Sequence, residues 1–224
     1  MANNLSETFQ SAYRAHHSTE TALLDVTNCL FGCADEGQVS ILTLLNLSAA
    51  FDTLDHSILL TRLHDMFGIS GKAFEWFSSY LSDRFQSVSV NGRVFLQKKL
   101  HYMVPRGSVS GPILFTLYTQ PLSGIISQRK CNHHKFADNA QLHQSSAPSH
   151  FHSLIHGIEK DVDFVGRWMT GNRLKLNNDK TEALVVGSHR RFSVSLERLV
   201  NWRFEPSQPQ RIMSGLTLER LSDT

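Results

Sequence analysis

The residues of this chain best suited to chemistry are an Asp-Asn pair and a single Asn at the end of an apolar run. KFADNAQ (135–141) sets Asp138 beside Asn139. Such a pair forms turns readily, because both side chains hydrogen-bond their own backbone and tolerate unusual angles. It can equally be what is left of two adjacent carboxylates, the ligands that a hard divalent cation prefers. VSILTLLN (39–46) is almost continuously apolar and ends on Asn46. VPRGSVSGP (104–112) is a Pro/Gly/Ser loop, rich in backbone donors, that opens a helix. Cys29 and Cys33 lie one helical turn apart, and Cys131, His133 and His134 cluster. That second group lacks a nearby fourth ligand and the first reads as small apolar positions on a helix, so zinc is not expected.

These residues need elements to hold them. Ser18 is a plausible N-cap for a helix over 18–36, with Leu23, Val26 and Leu30 at helical spacing and Gly37 as its stop. Residues 39–46 then read as a strand covered on both faces. Amphipathic helices follow over 55–67 and 72–81. FQSVSVNGRVFLQ alternates apolar and polar residues around Asn91-Gly92, the signature of a tight hairpin. ILFTLYTQPLSGII predicts an apolar helix interrupted by Pro121. Around KFADNAQLH the pattern predicts two short strands joined at Asp138-Asn139. A long helix carries Phe151, Leu154, Ile155, Ile158, Val162, Val165 and Met169 on one stripe, and ALVVG (183–187) is a last strand. The order predicts an α+β domain, an antiparallel sheet with helices packed on one face. Residues 189–224 lose this rhythm and read as an irregular tail.

Bulk properties narrow the class. At 224 residues, 41% hydrophobic and 19% charged, the chain suits one globular unit with a folded core. A net charge of +2 neither requires nor excludes a nucleic-acid partner. Three cysteines in no framework spacing suit a reducing, intracellular setting. The start MANNLSETFQ is no signal peptide, and no apolar run reaches the roughly 20 residues of a membrane span, so no membrane role is expected.

Taken together, FQSAYRAHHSTETALL (9–24), LLNLSAAFDTLDHSILL (44–60), VPRGSVSGPILF (104–115) and KFADNAQ, followed by LKLNNDKTE (174–182), resemble the reverse transcriptase domain of a non-LTR, LINE-type retrotransposon. The similarity covers roughly residues 5–188. It implies a right-hand polymerase palm with partial fingers and without the thumb. By the same resemblance the chemistry is RNA-templated DNA synthesis through two Mg2+ (or Mn2+) ions. Its partners would be an RNA template, a DNA primer and a deoxynucleotide.

The resemblance also assigns residues. The metal positions are 46, 138 and 139, where the family has aspartates and this chain has Asn46, Asp138 and Asn139. Phe51 matches an aromatic that closes off the 2′ side of the incoming sugar. Arg14 matches a fingers residue able to hold triphosphate oxygens, and Lys180 one able to neutralise pyrophosphate. Gly107 and Ser108 match the nucleotide loop, in which Arg106 stands where the family has glutamine and Ser110 where it has an apolar residue. The substitutions predict an impaired polymerase. The alternatives are a non-catalytic nucleic-acid-binding remnant and a chain that barely folds.

Overall fold

The computed structural model of the protein describes residues 7–105, 107–129 and 131–187, and the backbone of 211–212. Helix α1 (Thr19–Asp35) begins at Ser18, whose hydroxyl accepts from the Thr21 amide while the Thr21 hydroxyl accepts from the Ser18 amide, a reciprocal cap. Gly37, at φ +75°, turns the chain out of the helix. Strand β1 (Val39–Ser48) follows directly. Asp55 caps α2 (His56–Asp65) by accepting from the Ser57 and Ile58 amides, and α3 is Gly71–Leu81.

Asn91 and Gly92, at φ +50° and +77°, form the tight turn that their sequence predicts. The hairpin around them is short: β2 (Phe85–Gln86) pairs with β5 (Lys98–Lys99), and β3 (Ser89–Val90) with β4 (Arg93–Val94). Helix α4 (Gly111–Ser127) contains Pro121. After it come β6 (Asn132–Phe136), β7 (Asn139–Ser146), α5 (Phe151–Gly171), β8 (Lys175–Leu176) and β9 (Glu182–Gly187).

In the main sheet β1 is central, antiparallel to β9 on one side and to β7 on the other, with β6 beyond β7. Strand β8 pairs with the end of β1 at Leu47 and Ser48. Residues 211–212 add a parallel pair on β9, and the rest of the predicted tail lies outside the described residues.

Helices pack on both faces of the sheet, which corrects the expectation of one covered face. Val39, Ile41, Leu45 and Leu47 of β1 share a core with Leu114, Phe115, Tyr118 and Leu122 of α4 and with Leu154, Ile158, Val162 and Val165 of α5. The alternate residue Leu42 joins Val26 and Leu30 of α1 in a second cluster. Successive strand side chains point to opposite faces, so a run apolar at nearly every position needs cover on both. Each buried aliphatic side chain contributes about 1.5–3 kcal/mol to holding these layers together. A Cβ on Gly157 would lie 2.8 Å from the Gln144 side-chain oxygen, so the missing side chain lets α5 approach β7 closely. Among the described residues no helix is long and apolar enough to cross a membrane.

Candidate active site

The β1–β7 register sets Asn46 directly opposite Asn139. Their amides are joined, Asn46 Nδ2 donating to Asn139 Oδ1 at 2.5 Å. The Asn46 carbonyl accepts from the Asn177 amide at 2.8 Å, which ties the segment after β8 to the same strand end. The two-residue turn between β6 and β7 is Ala137-Asp138 rather than Asp138-Asn139, because Phe136 pairs with Asn139 and makes Asn139 the first strand residue. Ala137 takes the left-handed angle, φ +55°.

Asp138 lines a cavity of about 370 Å³ with Phe51, Gly107, Ser108 and the start of α4 at Gly111 and Pro112. The Phe51 ring rests on Phe115, centroids 5.2 Å apart, and its carbonyl accepts from the Val104 amide. Gly107 has φ +76°, and the Ser108 hydroxyl accepts from the Gly111 amide at 3.1 Å, closing the loop onto the helix. The structure thus brings Asp138, Phe51, Gly107 and Ser108 to one concavity, with Asn46 and Asn139 at the base of the adjoining hairpin.

Two other predicted residues stand apart from that cavity. Arg14 donates to the Glu7 carbonyl at 3.1 Å, and Lys180 is exposed in the short turn 178–180 that follows Asn177. Arg106 lies outside the described residues. Among the described residues no three His, Cys, Asp or Glu side chains are grouped to hold a metal ion. Of residues 46, 138 and 139, Asp138 is the one carboxylate.

Sequence reasoning missed two neighbours of Asp138. The Tyr13 hydroxyl pKa is raised, first by burial and then by the Asp138 charge. The buried Gln10 side chain accepts from the Ala137 amide and donates to the Ala137 carbonyl. Both lie in FQSAYR, and neither has a periodicity that would single it out. A third signal was legible and passed over: from Arg84 to Ala137 the sequence has lysines and arginines but no Asp or Glu.

The central strand β1 and the neighbouring β6–β7 hairpin meet in a fold that solved structures share. The chain resembles telomerase from Candida albicans in complex with a telomeric RNA fragment, with TM-score 0.55 and 14% identity over 77% of this chain and 31% of that one. Apo telomerase from Candida tropicalis, truncated from its C-terminal domain, gives TM-score 0.59 and 12% identity over 79% of this chain and 36% of that one.

Residues 1–212 match the family described as reverse transcriptase (RNA-dependent DNA polymerase), and the chain belongs to that family. It is 25% identical over 177 residues to the probable RNA-directed DNA polymerase from transposon BS of Drosophila melanogaster. It is 24% identical over 178 residues to the polymerase from the mobile element jockey of the same organism. Each match covers 77% of this chain and 19% of the relative, so the chain spans about a fifth of their length. These likenesses mark it as a reverse transcriptase domain of a LINE-type element.

Proposed function

We propose that this domain keeps the nucleic-acid and deoxynucleotide site of a retrotransposon reverse transcriptase while its metal-dependent polymerase step is impaired. The observation that supports this reading is the Asn46–Asn139 amide pair. In it one amide serves as donor and the other as acceptor. An amide oxygen can coordinate a cation, but it brings no charge. Asp138 alone remains charged among the three metal positions. Two magnesium ions about 3.5–4 Å apart require several carboxylates to offset their repulsion. This donor set does not fit them.

The size of the deficit supports the same reading. A carboxylate about 4 Å from a dication is worth on the order of 8 kcal/mol gross at an effective dielectric near 20. If about 2.7 kcal/mol of that loss appears in the barrier, turnover slows about 100-fold. Phe51, held against Phe115 beside Asp138, would form a steric wall for the sugar of a deoxynucleotide. RNA template and DNA primer are the partners that fit the family. The acid-free segment from Arg84 onward, with Arg93 and Lys98 on exposed strands, supplies charge complementary to their phosphates.

Primer extension on an RNA template, with magnesium or manganese, tests the proposal. Wild-type protein should extend little or not at all. The variant Asn46→Asp/Asn139→Asp/Arg106→Gln should gain activity. Robust extension by the wild type would overturn the claim of impairment.

A further inference from the structure

We propose that Gln10 is the positioning residue of the Asp138 turn. Ala137 precedes Asp138 in the turn and sits at φ +55°. For a residue with a Cβ that angle is disfavoured relative to the right-handed region, because the Cβ crowds the following carbonyl oxygen. A strained residue keeps such a conformation only where its surroundings over-determine it; here the Phe136–Asn139 pairing closes the turn and one side chain holds it from outside. Gln10 Oε1 accepts from the Ala137 amide at 3.1 Å, and Gln10 Nε2 donates to the Ala137 carbonyl at 3.3 Å. Both backbone polar groups of the strained residue are therefore satisfied by a single primary amide.

Gln10 is itself fixed. It is 3% exposed, and its Oε1 also accepts from the Ala12 amide at 3.0 Å. Its backbone runs parallel to the outer edge of β6: the Ser11 amide donates to the Lys135 carbonyl at 3.0 Å and the Lys135 amide to the Phe9 carbonyl at 2.7 Å. The Ser11 hydroxyl and His134 Nε2 lie 2.9 Å apart on the same segment. Residues 9–11 thus form a strut along β6, and the Gln10 side chain reaches from it over the turn. The pairing needs a donor and an acceptor side by side, which an amide has and a carboxylate or thioether lacks. By holding Ala137, Gln10 fixes the direction from which Asp138 enters the cavity with Phe51 and Ser108. This role does not depend on whether the domain polymerises.

The test is amide hydrogen exchange, resolved along β6, the turn and β7, in Gln10→Met, Gln10→Glu and Ser11→Ala. Gln10→Met should speed exchange at 137–139 by tenfold or more while 141–146 keep wild-type protection. Gln10→Glu retains the acceptor and should fall between. Ser11→Ala breaks a contact of the same strut without touching the turn and should leave 137–139 protected. Ala137→Gly, which removes the left-handed strain, should restore protection to Asn139 in Gln10→Met, while the amide of residue 137 stays unprotected for want of its acceptor. Unchanged exchange at 137–139 in Gln10→Met, or an increase spread evenly over the sheet, would overturn the proposal, as would failure of Ala137→Gly to restore protection at Asn139. If Gln10→Met does not fold, Gln10→Glu is compared with wild type alone. Loss of protection confined to the turn then supports the role, and wild-type protection there overturns it.

Discussion

Asn46 and Asn139 face each other across β1 and β7, and the amide of one donates to the amide of the other at 2.5 Å. Neutral partners let two polar side chains touch at a place where carboxylates would repel unless a cation lay between them. Asn46→Asp/Asn139→Asp should therefore be less stable than wild type by about 1 kcal/mol in the absence of divalent ions. Magnesium should restore the loss. Calorimetry should show saturable magnesium binding by the double variant and not by wild type. Equal binding by both would mean that the amides do not limit the site.

The segment from Arg84 predicts salt-dependent binding to single-stranded RNA. Each phosphate contact contributes about −0.7 to the slope of log K against log salt for a single strand. Arg93→Ala/Lys98→Ala, on exposed strands β4 and β5, should flatten that slope by about 1.4 if both residues touch phosphates. A titration across salt concentrations by fluorescence anisotropy reads this directly. Binding insensitive to salt would count against a phosphate-contacting surface.

Stability should fall in mild acid because of β6 and β7. Burial, helped by the Lys135 charge, pulls the His133 pKa down to about 4 from 6.5, and burial lowers His134 and His143 as well. Between pH 6.5 and 4 the unfolded chain takes up the His133 proton and the folded chain does not, so stability rises with pH across that window. It is complete above it. Half-buried Glu7, whose pKa is raised by burial, contributes with the opposite sign. The urea midpoint should be lower at pH 5 than at pH 7.5, and His133→Phe should narrow the difference. The same pH dependence in both proteins would exclude His133 as its source.

Arg62 should be the most costly polar residue of α2 to replace. It is 9% exposed, donates to the Tyr118 carbonyl and to Asn172 Oδ1, and lies 4.6 Å from the Tyr118 ring centroid and 5.4 Å from that of Trp168. It thereby joins α2 to α4 and to the end of α5. Arg62→Met keeps the stem but leaves Asn172 Oδ1 unpaired and takes the second donor from the Tyr118 carbonyl, an expected loss of about 2 kcal/mol. Denaturant unfolding with an unchanged m-value would measure it; a loss below about 0.5 kcal/mol would show that water replaces the guanidinium.

Much of this protein is local in origin and could be read from its residue order. Ser18 and Asp55 cap the helices they precede, Asn91-Gly92 turns its hairpin, and the stripe from Phe151 to Met169 makes one helix. The family was legible too, because motifs at fixed separations survive even where individual ligands do not. Other features depend on residues brought together across long stretches of chain. Asn46 and Asn139 are 93 positions apart, and only the β1–β7 register makes them partners. The turn fell one residue earlier than its Asp-Asn pair suggested, because the Phe136–Asn139 pairing sets where the strand begins. Gln10 and Ala137 lie 127 positions apart, and nothing in FQSAYR announces that its glutamine will hold the strained residue beside Asp138. Caps, turns and stripes act over a few residues and so are encoded where they act; a paired amide or a clamped turn exists only once the sheet has closed.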